Sequence, residues 1–191
     1  MRGQGAKVSG VAGGLAVVGW PFAVWLALTY PQLRWLLPLL AVCFVLRLAA
    51  LRGKTGALSR AAQGLAVVGA ILTLASMGLR EARLLMWYPV VVNMVMLALF
   101  GGSLLSRMPL VERLARWREG ELSPAAVSYT RRVTHVWCGF FIINGTVAVW
   151  TCLHGNLHLW TLWNGMLSYL FMGLLFAVEW VVRQRVKRRH G

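Results

Sequence analysis

Residues 108–150 read MPLVERLARWREGELSPAAVSYTRRVTHVWCGFFIINGTVAVW. The first part is the long polar segment of the chain, set between two strongly apolar regions, and Arg131 and Arg132 lead it back into an apolar run. Pro109 suits a first helical turn, Glu112 lies near that positive end, and Gly120 suits its termination. Leu110, Val111, Leu114, Ala115 and Trp117 then fall on one arc, with Glu112, Arg113, Arg116 and Glu119 on the other. That pattern predicts a short basic amphipathic helix lying on the cytoplasmic membrane surface. Ser123 and Pro124 read as an N-cap and a first-position proline, so a second helix is expected to start there. It would run unbroken into the next apolar stretch, over about 30 residues or about 45 Å.

Composition decides the class around that segment. A chain of 191 residues that is 59% hydrophobic and 13% charged, with mean hydropathy +0.66, has more apolar surface than a water-soluble core of its size can hide. The net charge of +15 comes from twenty Lys and Arg against five Glu. These cations sit in short linkers between apolar runs, where they set orientation and meet anionic lipid headgroups, so no nucleic-acid partner is expected. Cys43, Cys138 and Cys152 lie far apart and suggest neither a disulfide framework nor a metal site.

With about 20 apolar residues needed per crossing, hydropathy predicts an all-α integral membrane protein with six transmembrane helices in three hairpins. The predicted spans are 11–29, 35–50, 61–79, 84–104, 133–153 and 159–182. They form one transmembrane domain over 1–191, with a cytoplasmic amphipathic loop at 105–132 and a polybasic cytoplasmic tail at 183–191. Under that threading nearly all cations gather on one face, and Arg34, Arg80 and Arg83 alone fall on the other. This asymmetry predicts that both termini lie in the cytoplasm. Trp35, Trp87, Trp160 and Trp163 are expected to form an outer aromatic belt, and Arg47 to reach interfacial water. The hexapeptide Gly14-Leu-Ala-Val-Val-Gly19 recurs at 64–69, which raises a tandem hairpin duplication.

The loop and the run after it carry a resemblance. Met108-Pro-Leu with Glu112, then Leu122-Ser-Pro124, then Tyr129, Arg131-Arg132, Thr134, Trp137, Phe140-Phe141 and Asn144-Gly145 resemble a family of uncharacterised bacterial inner-membrane proteins associated with aryl-polyene and related fatty-acid-like lipid gene clusters. More distantly they resemble the intracellular septation protein A family. The likeness begins near Met108, and the earlier part matches in hydropathy alone. It implies a bacterial inner-membrane protein with a role in envelope-lipid biogenesis, and offers no catalytic motif.

No catalytic residue, metal site or cofactor is predicted from the residues themselves. His154 and His158 read as interfacial loop histidines in a Gly155-Asn156 turn, with metal or haem binding as the rival. Glu179 reads as an ion-pair partner of Arg183, with proton coupling as the rival. Asn93, Asn144 and Asn164 are amides inside apolar runs, where each needs a partner. They either lock helices together or, with Tyr169, Glu179, Arg131 and Arg132, line a groove for a lipid or polyene headgroup. Two functions remain: a non-catalytic scaffold or accessory factor in envelope-lipid biogenesis, and a small lipid transporter or flippase. A membrane-embedded enzyme stands third. The expected partners are membrane lipids with anionic headgroups, lipid-biosynthesis enzymes or envelope proteins, and further copies of the chain as a homo-oligomer.

Overall fold

Glycines mark the places where the chain reverses. The computed structural model describes residues 19–33, 35–79 and 81–190, and its long elements among them are all helical. Helices α1 (Gly19–Thr29) and α2 (Leu36–Leu51) come first, and α2 turns into α3 (Ala57–Leu79) through Gly53 and Gly56 at φ 75° and 116°. These left-handed angles favour glycine. The amide of Gln63 closes the turn by donating to the Leu51 carbonyl at 2.8 Å. A 3₁₀ segment, Ala82–Trp87, feeds α4 (Tyr88–Leu104), and α5 (Leu110–Glu119) follows. Then comes α6 (Pro124–His154), capped by Ser123 Oγ accepting from the Ala126 amide. Gly155, at φ 72°, ends it, and Asn156 caps the short α7 (Leu157–Thr161). A π-helical turn, Leu162–Leu167, joins α7 to α8 (Ser168–His190).

Among the described residues, four stretches are long and apolar enough to cross a bilayer: Ala57–Leu79, Arg83–Leu104, Pro124–His154 and Leu157–Arg185. They replace the six transmembrane helices and three hairpins expected from hydropathy. The 16 residues of α2 reach about 24 Å, short of the roughly 30 Å of a hydrocarbon core. Apolar composition persists around α2, but helix length does not. Residues 11–18 of the first expected span, and with them most of the first copy of the hexapeptide, lie outside the described residues.

The bundle has a turn end, where α4 starts and α6 finishes, and a basic end, where α5 and the foot of α6 lie. At the turn end Trp20 of α1, Phe44 of α2, Tyr88 and Trp160 pack into one core. Phe44 lies against Gly69 so closely that a Cβ there would come within 2.3 Å of the ring. Towards the basic end, Phe100 of α4 meets Phe141 at 5.3 Å, and Trp137 meets Phe176 of α8 at 4.6 Å. Apolar side chains on the outer faces, such as Leu170, Leu174 and Trp180, are exposed. On helices long and apolar enough to cross a membrane, hydrocarbon covers such a surface.

The short helix expected in the polar segment is α5, and it departs from the expected pattern at Glu112. Leu110, Glu112 and Ala115 face the bundle while Arg113, Leu114 and Trp117 face away. Glu112 is only 3% exposed because Arg116 Nε donates to its carboxylate at 2.9 Å, which satisfies the charge locally. Ser103 Oγ accepts from the Leu110 amide, and Arg113 Nε donates to the Met108 carbonyl. The helix is therefore stitched to the end of α4.

Candidate functional site

Asparagine inside an apolar helix must find partners within the protein. Asn144 of α6 and Asn93 of α4, each 7% exposed, find one another: Asn144 Nδ2 donates to Asn93 Oδ1 at 3.0 Å. Asn93 Nδ2 donates back along its own helix to the Pro89 carbonyl at 2.8 Å. The indole N–H of Trp163 donates to Asn144 Oδ1 at 3.1 Å, so one amide ties α4, α6 and the π turn. Gly145 permits this approach, since a Cβ there would sit 3.1 Å from Asn93 Cβ. The π turn carries one residue more than an α turn, which re-phases the start of α8.

Asn164, next in the same turn, belongs to a separate contact. Its Nδ2 donates to Thr151 Oγ1 at 3.3 Å and to the Trp160 carbonyl at 3.0 Å, while its Oδ1 is buried without a partner among the described residues. Trp160 is fully buried, and its N–H donates to the Met86 carbonyl at 2.9 Å. The Cys152 thiol reaches the same oxygen at 3.1 Å. Trp160 is thus an interior hydrogen-bond donor, not a member of an outer belt, while Trp163 is half-buried with its N–H turned to Asn144. Trp35 and Trp87 do lie exposed.

Between α6 and α8, beside the Asn144 and Trp163 pair, runs a groove of about 570 Å³. Val136, Phe140 and Ile143 line it from α6, and Phe171, Leu174 and Val178 from α8. Gly139 leaves it open, with nothing within 4 Å of where a Cβ would stand. Asn144 and Trp163 supply the side-chain polarity, at the end away from the basic residues. The groove extends about 12 Å along α6 from Val136 to Asn144 and about 22 Å along α8 from Trp163 to Val178. At helical spacing the α6 ridge continues one turn to Arg132 and the α8 ridge two turns to Arg185, both exposed. Past the groove, the Tyr129 hydroxyl donates to the Glu179 carbonyl at 3.1 Å and ties the two helices.

The seven candidate residues divide accordingly. Asn144 lines the groove, and Asn93 supports it from behind. Arg132 is in register with it, whereas Arg131 turns to α4 and donates to the Leu104 carbonyl at 3.0 Å. The Glu179 carboxylate meets Arg183 at 3.9 Å, as the i, i+4 spacing implied. Tyr169, partly buried on α8, does not line the groove. Trp163 and Gly139 are the site residues that sequence reading passed over. His154 stacks on Trp150 with ring centroids 5.2 Å apart, and among the described residues no cluster of His, Cys, Asp or Glu could hold a metal. No protein-family model, curated protein or solved structure matches the chain.

Proposed function

We propose that this chain is a non-catalytic accessory protein of envelope-lipid biogenesis, which holds an anionic acyl-chain lipid in the groove between α6 and α8. The observation that carries the reading is the groove itself: apolar from Val136 to Ile143 and from Phe171 to Val178, open at the surface of the bundle, with Arg132 one turn and Arg185 two turns beyond its lining. A tail in that groove stays in hydrocarbon while its headgroup meets fixed cations, the arrangement that favours anionic lipids.

The orientation that goes with this reading puts the basic end in the cytoplasm. Of the four candidate spans, the α3–α4 connection carries Arg80 and Arg83, whereas the α4–α6 connection and the end of α8 carry the long cationic runs. Trp117, 85% exposed, and Leu114 project from α5 beside Arg113, a composition suited to the headgroup layer of that leaflet. The resemblance over about the last 85 residues to lipid-cluster membrane proteins is what brings envelope lipids into the proposal.

The test uses Gly139→Phe, which fills the groove where a new Cβ meets nothing and adds helix propensity. Protein is extracted in native lipid discs, washed with zwitterionic detergent, and weighed intact by native mass spectrometry. Wild type should keep an anionic lipid that the variant, at equal thermal stability, has lost. Equal retention by both, or retention of none by wild type, overturns the reading.

A further inference from the structure

We infer that the lipid held between α6 and α8 carries a hydrogen-bonding group, a hydroxyl or carbonyl, at the far end of its tail. The inference rests on the lipid-holding reading and names the chemistry that the site selects. An ordinary acyl chain wants an apolar groove throughout, yet this groove closes on a side-chain amide and an indole. A carboxamide offers two N–H donors and two acceptor positions. Asn144 uses one donor on Asn93 and one acceptor position for Trp163, which leaves one N–H and one lone pair among the described residues. Asn144 is itself among the lining residues, and those spare positions are the proposed partner of the tail tip.

In hydrocarbon no water satisfies spare polar capacity, and a methyl tip packed there leaves it unmet. A hydroxyl can both donate to Asn144 Oδ1 and accept from Asn144 Nδ2. The polar ends of the site are also well separated, with cations one and two turns beyond the lining residues on α6 and α8, and the amide at the opposite end. The complementary ligand is therefore an amphiphile polar at both ends: anionic at the basic end, with one neutral hydrogen-bonding group at the tip. Sites built to hydrogen-bond a substrate group discriminate against the analogue lacking it, because their own polar atoms are then left unpaired.

The experiment compares hexadecanoate with ω-hydroxyhexadecanoate, each displacing a fluorescent fatty acid from the full chain in zwitterionic lipid discs. Wild type should bind the hydroxy acid about tenfold more tightly, the worth of one hydrogen bond in an apolar site. Trp163→Phe keeps the ring and lets Asn144 turn, so its discrimination should change. The triple variant Asn93→Leu, Asn144→Leu, Trp163→Phe, which leaves no orphaned partner, should bind both acids alike. Equal binding of the two acids by wild type, with displacement still blocked by Gly139→Phe, overturns this inference and leaves the lipid-holding reading standing. Full discrimination surviving in the triple variant also overturns it. Failure of both acids to displace the probe overturns the lipid-holding reading itself.

Discussion

Replacing Asn144 by leucine changes volume little but breaks the two hydrogen bonds that join α4, α6 and the π turn. It leaves Asn93 Oδ1 and the Trp163 N–H facing apolar side chains. Side-chain hydrogen bonds between membrane helices average about 0.6 kcal/mol and reach about 1.7. Two of them, lost together with their partners stranded, should cost roughly 1–3 kcal/mol. The sign of the next step is the sharper expectation. Adding Asn93→Leu removes one stranded acceptor, so the double variant should be more stable than Asn144→Leu alone. Adding Trp163→Phe removes the stranded donor and should bring stability to within about 1 kcal/mol of wild type. Reversible unfolding in mixed detergent micelles, followed by far-UV circular dichroism, ranks the four proteins. A triple variant less stable than the single one would refute the claim that these groups act as one linked set.

Gly69→Ala should destabilise the α2–α3 hairpin by about 1–3 kcal/mol, because the new methyl meets the Phe44 ring. A second change, Phe44→Leu, should restore most of it, and thermal melting of the pair checks both. Ser123→Ala removes the side chain that caps α6 and should cost about 1 kcal/mol. Its signature is faster hydrogen exchange in the first turn of α6, with the rest of that helix unchanged.

Much of the architecture was readable because glycine, proline and serine act through the local backbone. The start of α6 at Ser123-Pro124, the end of α5 at Gly120 and the turn at Gly155-Asn156 all lie where those residues put them. The ion pair of Glu179 and Arg183 was legible for the same reason, since i, i+4 spacing is a local property. What escaped was non-local. Hydropathy cannot distinguish a 16-residue apolar helix packed along a hairpin from one that spans, so α2 was overcounted. Arg131 and Arg132 look like one cationic site in the sequence, but consecutive helical residues point about 100° apart: Arg131 donates to the Leu104 carbonyl of α4, and Arg132 falls in register with the α6 ridge of the groove. Glu112 looked solvent-facing until Arg116 neutralised it in place. Trp160 and Trp163 matched a belt by position. Their N–H groups instead found the Met86 carbonyl and Asn144, partners more than fifteen residues away in sequence.

The core at the turn end has a consequence for biosynthesis. It unites Trp20 with Trp160, so the ribosome must deliver most of the polypeptide before that core can close. Until then the Met86 carbonyl has neither of the donors it finally accepts, Cys152 and Trp160, both of which emerge late. The early helices must therefore wait as an open assembly in the lipid. A truncation anywhere between α4 and α7 would strand them there, exposed to quality-control proteases.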